Sequence, residues 1–189
     1  MVYLELIMGP MFSGKSTKLI EYITNHRNES SVKQLIINHV SDNRYSEDRS
    51  IVTHTYEMMP CKAVSNLSEI LGIQEFMEAD NIYIDEAQFF PDLYNSIVKI
   101  MLHSDKNIYI SGLDSDFMMK TFPNLGILSL IPLANKITKL YSRCYICQCN
   151  ASYTMRTTNN NSQILVGSTN DYQPVCFRHH NKLEHLEMV

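Results

Sequence analysis

The amino-acid sequence predicts an α/β fold in which helices flank both faces of a mostly parallel sheet. Short apolar runs, each too short for a helix, alternate with segments that repeat apolar residues every three or four positions. Strands that are apolar along their whole length are typical of parallel sheets, which helices cover on both faces. With 189 residues and 44% hydrophobic side chains, the chain is long enough for one ordinary domain and a small appendage.

The predicted strands and helices alternate along the first three quarters of the chain. Strands are predicted at 3–8, 35–37, 82–84 and 108–110, and helices at 16–27, 68–79 and 93–101. Ser68 is the candidate cap of the second helix. After about residue 140 the pattern gives way to cysteines and a polar stretch over 157–162. We therefore predict two units, residues 1–139 and 140–189.

A phosphate-binding pattern follows the first predicted strand and opens the first predicted helix. Gly9-Pro10-Met11-Phe12-Ser13-Gly14-Lys15-Ser16 matches G-x-x-x-x-G-K-[ST], the P-loop, in the context that this motif requires. Backbone N–H groups and the helix N-terminus would surround phosphate oxygens, Lys15 would reach the β and γ phosphates, and Ser16 would hold Mg²⁺. The predicted ATP-binding segment comprises Gly9, Pro10, Met11, Phe12, Ser13, Gly14, Lys15, Ser16 and Thr17.

Two acids end the third predicted strand, Ile82-Tyr83-Ile84-Asp85-Glu86. Ligands of such sheets bind beyond the carboxyl ends of the strands. Asp85 is therefore predicted to face the magnesium across from Ser16, and Glu86 to accept a proton from an attacking hydroxyl or water. This pair does not distinguish a kinase from a hydrolase, because both need a base near the γ-phosphate.

Two pairs of metal-ligand spacing lie in the last quarter of the chain, Cys144-x-x-Cys147 and Cys176-x-x-His179. Four such ligands favour tetrahedral Zn²⁺, and a site with four protein ligands would be structural because no position remains for substrate. Cys149 and His180 are close competitors, so the fourth ligand stays open between His179 and His180. The alternative is a set of reduced thiols without metal.

Charge and hydropathy exclude several classes of protein. With 20 acidic and 16 basic residues, the net charge of -4 disfavours a polynucleotide partner. No apolar run approaches the ~20 residues that span a bilayer, and the amino-terminal segment lacks the pattern of a signal peptide. We expect an intracellular, cytoplasmic protein with no membrane partner and, in that compartment, reduced cysteines.

Five segments together resemble the type II (cellular and poxvirus-like) thymidine kinase family. They are Gly9–Thr17, Asp42-Asn43-Arg44-Tyr45, Asp85-Glu86-Ala87-Gln88-Phe89-Phe90, Leu113–Phe122 and Ala151–Thr154. The resemblance extends over nearly all of the chain. Ser115-Asp116 departs from it, since that segment is usually small and neutral, and His179 stands where many members have cysteine.

The resemblance implies a P-loop NTPase-type fold with a small C-terminal zinc-ribbon or lasso domain. It implies ATP-dependent phosphorylation of thymidine at the 5′-hydroxyl, giving dTMP in deoxynucleoside salvage. Glu86 and Lys15 are implied as catalytic, and Asp85 and Gln88 as additional ATP-site residues. A homotetramer and feedback inhibition by dTTP are also implied. The implied substrate-binding residues are Met11, Asp42, Arg44, Phe89, Leu113, Phe117, Phe122, Thr154, Gln163, Ile164, Leu165, Val166, Gly167 and Tyr172.

Three other functions compete with this interpretation. A P-loop ATPase would turn over ATP without a nucleoside, and another nucleoside kinase with a structural zinc ribbon would accept a different base. A zinc-ribbon nucleic-acid-binding module would show salt-dependent affinity for DNA or RNA, which the acidic charge disfavours.

Overall fold

A computed structural model describes residues 2–28, 31–42, 50–52, 58–158, 162–163 and 170–184. The strands β1–β12 are Tyr3–Met8, Gln34–His39, Ser50–Val52, Met58–Pro60, Lys62–Val64, Asn81–Ile84, Asn107–Gly112, Lys136–Lys139, Ser142–Arg143, Asn150–Ala151, Tyr153–Arg156 and Tyr172–Val175. The helices α1–α4 are Lys15–Arg27, Gln74–Glu78, Leu93–His103 and Phe177–Glu184. Three 3₁₀ segments occupy Leu67–Ile70, Ala87–Phe89 and Pro123–Leu133.

Six strands form one parallel sheet in the order β5-β2-β6-β7-β1-β8. The four strands predicted from apolar runs are β1, β2, β6 and β7, which form the centre of this sheet, so the predicted fold class is confirmed. The two edge strands were not predicted. Each edge strand is short and contains lysine, as in Lys136–Lys139. An edge strand is less enclosed than a central strand, so its sequence can be less apolar.

Helices cover both faces of the sheet. On one face α1 contributes Leu19 and Ile23 to a core that includes Ile7 of β1. On the other face Leu6, the preceding residue of β1, packs in a larger core with Ile97 of α3. Successive side chains of a strand point to opposite faces, so burial of both residues confirms that the strand is enclosed on two sides.

The predicted helix over 68–79 is wrong as a single element. The segment forms a 3₁₀ turn over Leu67–Ile70, then the short helix Gln74–Glu78, and Gly72 lies in the turn between them. Asn66 rather than Ser68 occupies the cap position, and its backbone N–H donates to Glu69 Oε1 at 2.7 Å. Glycine favours such an interruption, because a glycine inside a helix loses more backbone conformational entropy than any other residue.

The chain changes character after β8. Two antiparallel strand pairs, β9 with β10 and β11 with β12, precede α4. A third, small core joins them through Cys144, Ala151 and Val175. Among the residues that the structure describes, none of the helices has the length and hydrophobicity that crossing a bilayer requires.

Candidate active site and metal-binding cluster

The loop between β1 and α1 has the backbone geometry of a phosphate cradle. Gly14, at the N-cap of α1, adopts a left-handed conformation with φ of 81°. A Cβ atom on Gly9 would lie 2.5 Å from the carbonyl oxygen of Leu140, so a side chain does not fit there. Lys15 Nζ folds back over the loop and donates to the carbonyl oxygen of Pro10 at 2.8 Å. The loop therefore combines a left-handed glycine at the helix N-terminus with a buried ammonium group, the features that bind an anion.

Asp85 is buried at the carboxyl end of β6, in the middle of the sheet. Its carboxylate accepts hydrogen bonds from the hydroxyl groups of Ser111 and Ser16. Burial, and then the charge of Glu86, raise the pKa of Asp85 to about 6. The structure thus brings Ser16 and Asp85 together as the sequence predicts, and it adds Ser111 to the pair.

Glu86 lies directly after the strand in a left-handed conformation with φ of 52° and ψ of 41°. Such a conformation costs a residue with a Cβ atom free energy, and residues of this kind cluster at functional sites. Gln88 Nε2 donates to the Glu86 carboxylate. The other end of the same amide, Gln88 Oε1, accepts the backbone N–H of Leu113 at 2.8 Å. Gln88 therefore orients the candidate base against the loop that follows β7.

A third acid lies near the pair. Asn38, at the end of β2, donates to Asp42 Oδ2 at 2.9 Å, and the charge of Asp42 adds to the causes that raise the pKa of Asp85. Several acids therefore meet at the carboxyl edge of the sheet, where a cation would lower their mutual repulsion. Arg44 of the same predicted segment lies outside the described residues, as do Ile164, Leu165, Val166 and Gly167.

The predicted nucleoside-binding residues that follow β7 contact the C-terminal part of the chain. The guanidinium of Arg156 lies 3.8 Å from the centre of the Phe117 ring, within cation–π range. Arg156 also donates to the Tyr172 hydroxyl at 2.6 Å. Gln163 Nε2 donates to Asp116 Oδ2 at 2.7 Å. The structure thus brings five residues together, Asp116 and Phe117 after β7 and Arg156, Gln163 and Tyr172 in the C-terminal part.

The remaining predicted residues occupy nearby parts of the same edge. Met11 is buried, and its backbone N–H donates to Thr154 Oγ1 at 2.9 Å, which joins the P-loop to β11. Phe89 is half-buried with its ring centre 5.7 Å from that of His39. Phe122 is buried immediately before the segment Pro123–Leu133.

Four metal-ligand side chains converge in the C-terminal part, those of Cys144, Cys147, Cys176 and His179. Their ligand atoms all lie within 4.8 Å of one another, which fits a single ion. His179 Nδ1 lies 3.4 Å from the sulfur atoms of both Cys144 and Cys176. Burial raises the pKa of the Cys144 thiol, but main-chain hydrogen bonds outweigh burial and lower it to about 6. A thiolate is the form that binds metal.

The two competitors for the cluster are placed differently. His180 Nε2 lies 2.8 Å from the carbonyl oxygen of Phe117, so this ring makes a contact elsewhere. Cys149 is exposed, and its sulfur lies 3.2 Å from that of Cys147, outside the group of four ligands. The geometry therefore favours His179 as the fourth ligand.

Sequence reasoning missed several residues that shape the site. Ser111 directly follows the predicted strand over 108–110, and a polar side chain at the carboxyl end of a central parallel strand is a signal that could have marked it. Arg156 and Asn38 lie outside every motif, so nothing in the sequence pattern marks them. Asp116 was noted as a departure from the family pattern without a role.

Comparison with known proteins identifies the relatives of this chain. A sequence model of the family described as "Thymidine kinase" matches residues 2–180. A thymidine kinase of Oryza sativa subsp. japonica is 38% identical over 180 residues, which are 94% of this chain and 65% of that protein. Thymidine kinase a of Arabidopsis thaliana is 37% identical over 93% of this chain and 74% of its own length. A thymidine kinase of Yaba monkey tumor virus is 37% identical over 92% of both chains.

Proposed function

Because the chain belongs to the thymidine kinase family, we propose that it transfers the γ-phosphoryl group of ATP to the 5′-hydroxyl of thymidine, giving dTMP in deoxynucleoside salvage. One observation of the structure carries this proposal. Glu86, held by Gln88, stands beside Asp85 at the carboxyl edge of the sheet that also presents the P-loop. A proton acceptor and a phosphate cradle at one edge are the parts that phosphoryl transfer to a hydroxyl needs.

The proposed ATP site is built on the segment Gly9–Thr17. Inward backbone N–H groups and the N-terminus of α1 stabilise the phosphate oxygens. Lys15 leaves the carbonyl oxygen of Pro10, its contact in this structure, and approaches the β and γ phosphates. Its charge then stabilises the negative charge that spreads over the transferring group.

Ser16 and Asp85 are the proposed ligands of the Mg²⁺ that accompanies ATP. Their oxygen atoms are already in contact at the centre of the site, and hydroxyl and carboxylate oxygens suit this ion. When bound, Mg²⁺ would neutralise part of the negative charge of the phosphates. Asp85 binds a cation in its ionised form, which a nearby positive charge favours.

Glu86 is the proposed base. Its carboxylate accepts the proton of the 5′-hydroxyl as the hydroxyl oxygen bonds to the γ-phosphorus and the bond from that phosphorus to the leaving ADP breaks. Gln88 fixes the direction of the carboxylate through a hydrogen bond, so less reorganisation is needed at the moment of reaction. We assign Gln88 this orienting role in addition to its predicted place in the ATP site.

The proposed nucleoside pocket combines apolar side chains with a few polar contacts, which suits a flat base. We propose Phe117, Thr154 and Tyr172 in its wall, with the other residues named from the family resemblance. Support comes from the contacts that hold Phe117 and Tyr172 to Arg156. A closed pocket would exclude water, which otherwise accepts the phosphoryl group.

We further propose Zn²⁺ as the ion held by Cys144, Cys147, Cys176 and His179, with a structural role. The donor set of three sulfurs and one imidazole nitrogen supports this choice. We also propose units of 1–139 and 140–189, because β8 is the last strand of the parallel sheet and later strands pair only with each other in the described residues.

Three further properties are proposals, the first two from the family resemblance and the third from the sequence. They are a homotetramer, feedback inhibition by dTTP, and a cytoplasmic location. The last is supported by the five free cysteines, which suit a reducing compartment. Light scattering of the purified protein at several concentrations tests the tetramer, and a tetramer mass that persists on dilution is expected.

A phosphate-transfer assay tests the proposed function. The purified protein is incubated with γ-labelled ATP, Mg²⁺ and each of the four deoxynucleosides in turn. We expect label in the thymidine product and little ATP hydrolysis without nucleoside. Hydrolysis that is independent of nucleoside would instead identify an ATPase, and transfer to another nucleoside alone would contradict the thymidine assignment.

A further inference from the structure

Two adjacent histidines near the start of α4 point to different parts of the protein. His179 is one of the four candidate metal ligands, and its Nδ1 lies 3.4 Å from the sulfur of Cys176. His180 faces the other way, and its Nε2 lies 2.8 Å from the carbonyl oxygen of Phe117, 63 residues earlier in the chain. One turn of helix therefore contacts both the metal cluster and the segment that follows β7.

The contact of His180 is buried and directional. Only 6% of the residue is exposed. A carbonyl oxygen has no hydrogen to give, so Nε2 donates and Phe117 accepts. The His180 ring also packs edge-on against Tyr153, with ring centres 6.1 Å apart. A buried donor and acceptor are costly to separate, because neither regains water easily.

Three residues hold Phe117 and the backbone after it, one from its own segment and two from the C-terminal part of the chain. Arg156 lies over the Phe117 ring. Asp116 fixes the backbone after it by accepting the N–H groups of Met118 and Lys120, both at 2.8 Å. His180 holds a third atom, the carbonyl oxygen of Phe117. His180 and Asp116 therefore hold the same peptide group, which joins Phe117 to Met118, at its carbonyl oxygen and at its N–H.

We propose that His180 is a positioning residue for the nucleoside pocket, acting through the main chain of Phe117. This inference rests on the proposed function, which places Phe117 in the pocket wall. Without the His180 hydrogen bond, Asp116 alone holds this peptide group, through the N–H of Met118, and the Phe117 ring is held less firmly against the base. The metal cluster contributes to the same positioning, since His179 anchors the helix turn that carries His180.

The effect should fall on nucleoside binding and spare the ATP site. The P-loop is joined to the C-terminal part through a different residue, Thr154, whose Oγ1 accepts the N–H of Met11. His180 is not among the four ligand residues of the cluster. Loss of its hydrogen bond should therefore leave the metal and the phosphates in place.

Two substitutions test the proposal in the full-length protein. His180→Phe keeps the aromatic ring and removes the donor. His180→Gln keeps an N–H donor at a similar reach and is the matched control. For His180→Phe we expect the KM for thymidine to rise roughly 2–13-fold, the usual effect of one net hydrogen bond. The KM for ATP, kcat and bound zinc should stay within twofold of wild type, and His180→Gln should recover most of the thymidine KM.

Hydrogen exchange gives a second readout that does not depend on activity. In His180→Phe the peptide covering residues 113–122 should exchange faster than in wild type, and in His180→Gln at close to the wild-type rate. If wild type phosphorylates no nucleoside, the proposed function fails, yet faster exchange would still show that His180 holds this segment.

Three outcomes would overturn the proposal. The first is a thymidine KM within twofold of wild type in His180→Phe. The second is unchanged exchange of the 113–122 peptide. The third is loss of zinc in His180→Phe, because the residue would then act by maintaining the metal cluster rather than by holding Phe117.

Discussion

Asp85 and Glu86 are neighbours in the chain but have different surroundings. Asp85 ends β6, is buried, and contacts the hydroxyls of Ser16 and Ser111. Glu86 turns away through a left-handed backbone conformation and contacts Gln88. Adjacent carboxylates with different environments can take different roles. Here the surroundings of Asp85 suit it to bind a cation, and those of Glu86 suit it to accept a proton.

Glu86→Gln should reduce turnover and leave binding intact. The amide keeps the shape of the side chain but cannot accept a proton. We expect kcat to fall by ~10²–10⁴-fold, the usual contribution of a positioned general base, with ATP and thymidine affinities unchanged. Steady-state kinetics and equilibrium binding over a series of Mg²⁺ concentrations measure both quantities.

The Mg²⁺ series separates three cases: Glu86 is the catalytic base, Glu86 is a magnesium ligand, or Glu86 has no part in the reaction. Partial recovery at high Mg²⁺ would make Glu86 a magnesium ligand rather than the base. A loss of less than tenfold would show that the proton goes elsewhere. The catalytic assignment would then be withdrawn.

Lys15→Ala should abolish most phosphoryl transfer without unfolding the protein. The ammonium group contacts the P-loop carbonyl of Pro10 and is oriented towards the phosphate cradle rather than the core. Lys18→Ala is the matched control, because Lys18 lies on the same helix but pairs with Glu21 at the surface. Initial rates and thermal unfolding of both variants test this, and near-normal rates in folded Lys15→Ala would contradict the nucleotide site.

At the scale of elements, a buried carboxylate joins edge strand β8 to the rest of the sheet. Glu5 of β1 accepts hydrogen bonds from the hydroxyls of Tyr22, at 2.9 Å, and Tyr3, at 3.0 Å. Lys136 of β8 lies 3.0 Å from the same carboxylate. Burial raises the pKa of Glu5, but the hydrogen bonds from Lys136 and the two tyrosines outweigh it and lower the pKa below 4.5.

Glu5→Gln should therefore destabilise the protein in a manner that depends on pH. A lowered pKa in the folded state contributes stability above the unfolded value, and that stability is lost as pH falls through the folded value. We expect a loss of about 1–3 kcal/mol at pH 7, shrinking below about pH 4.5. Urea unfolding between pH 3.5 and 7 measures it.

Glu21→Gln provides the surface comparison for this experiment. Glu21 pairs with Lys18 in an exposed ion pair, and such pairs contribute little stability. Its variant should stay within about 0.5 kcal/mol of wild type at every pH. Equal effects of the two substitutions would show that the Glu5 network does not hold β8.

At the scale of the whole molecule, the C-terminal part contacts the site of the parallel sheet at several points. Thr154 accepts the N–H of Met11 in the P-loop. Arg156 lies over Phe117. The small core of this part, around Cys144 and Val175, is short of apolar side chains. Small units of this kind usually need a metal or disulfide to fold stably.

Metal analysis should find one zinc per chain, and its removal should weaken thymidine phosphorylation. Cys147→Ser removes one of the four converging sulfur and nitrogen ligands, so we expect it to release the ion and lower the melting temperature. Cys149→Ser is the matched control, since Cys149 lies outside that group, and it should retain zinc. A zinc content near zero in active wild type, purified without chelator, would refute the site.

Local sequence patterns were sufficient to predict those features that depend on residues close together in the chain. The P-loop pattern predicted a strand–loop–helix unit that the structure contains, because the left-handed Gly14 and the start of α1 are local. Spacing likewise predicted the two halves of the metal cluster. The apolar runs predicted the four central strands, since a strand enclosed on both faces must be apolar throughout.

The way in which distant segments meet could be seen only in the folded chain. The fold separated His179 from His180, placing one at the cluster and the other at Phe117. It showed that the segment 68–79 breaks at Gly72, and it revealed the edge strand Lys136–Lys139, whose polar sequence predicts no strand. These features depend on hydrogen bonds and packing between residues far apart in the chain, and local spacing contains no information about such contacts.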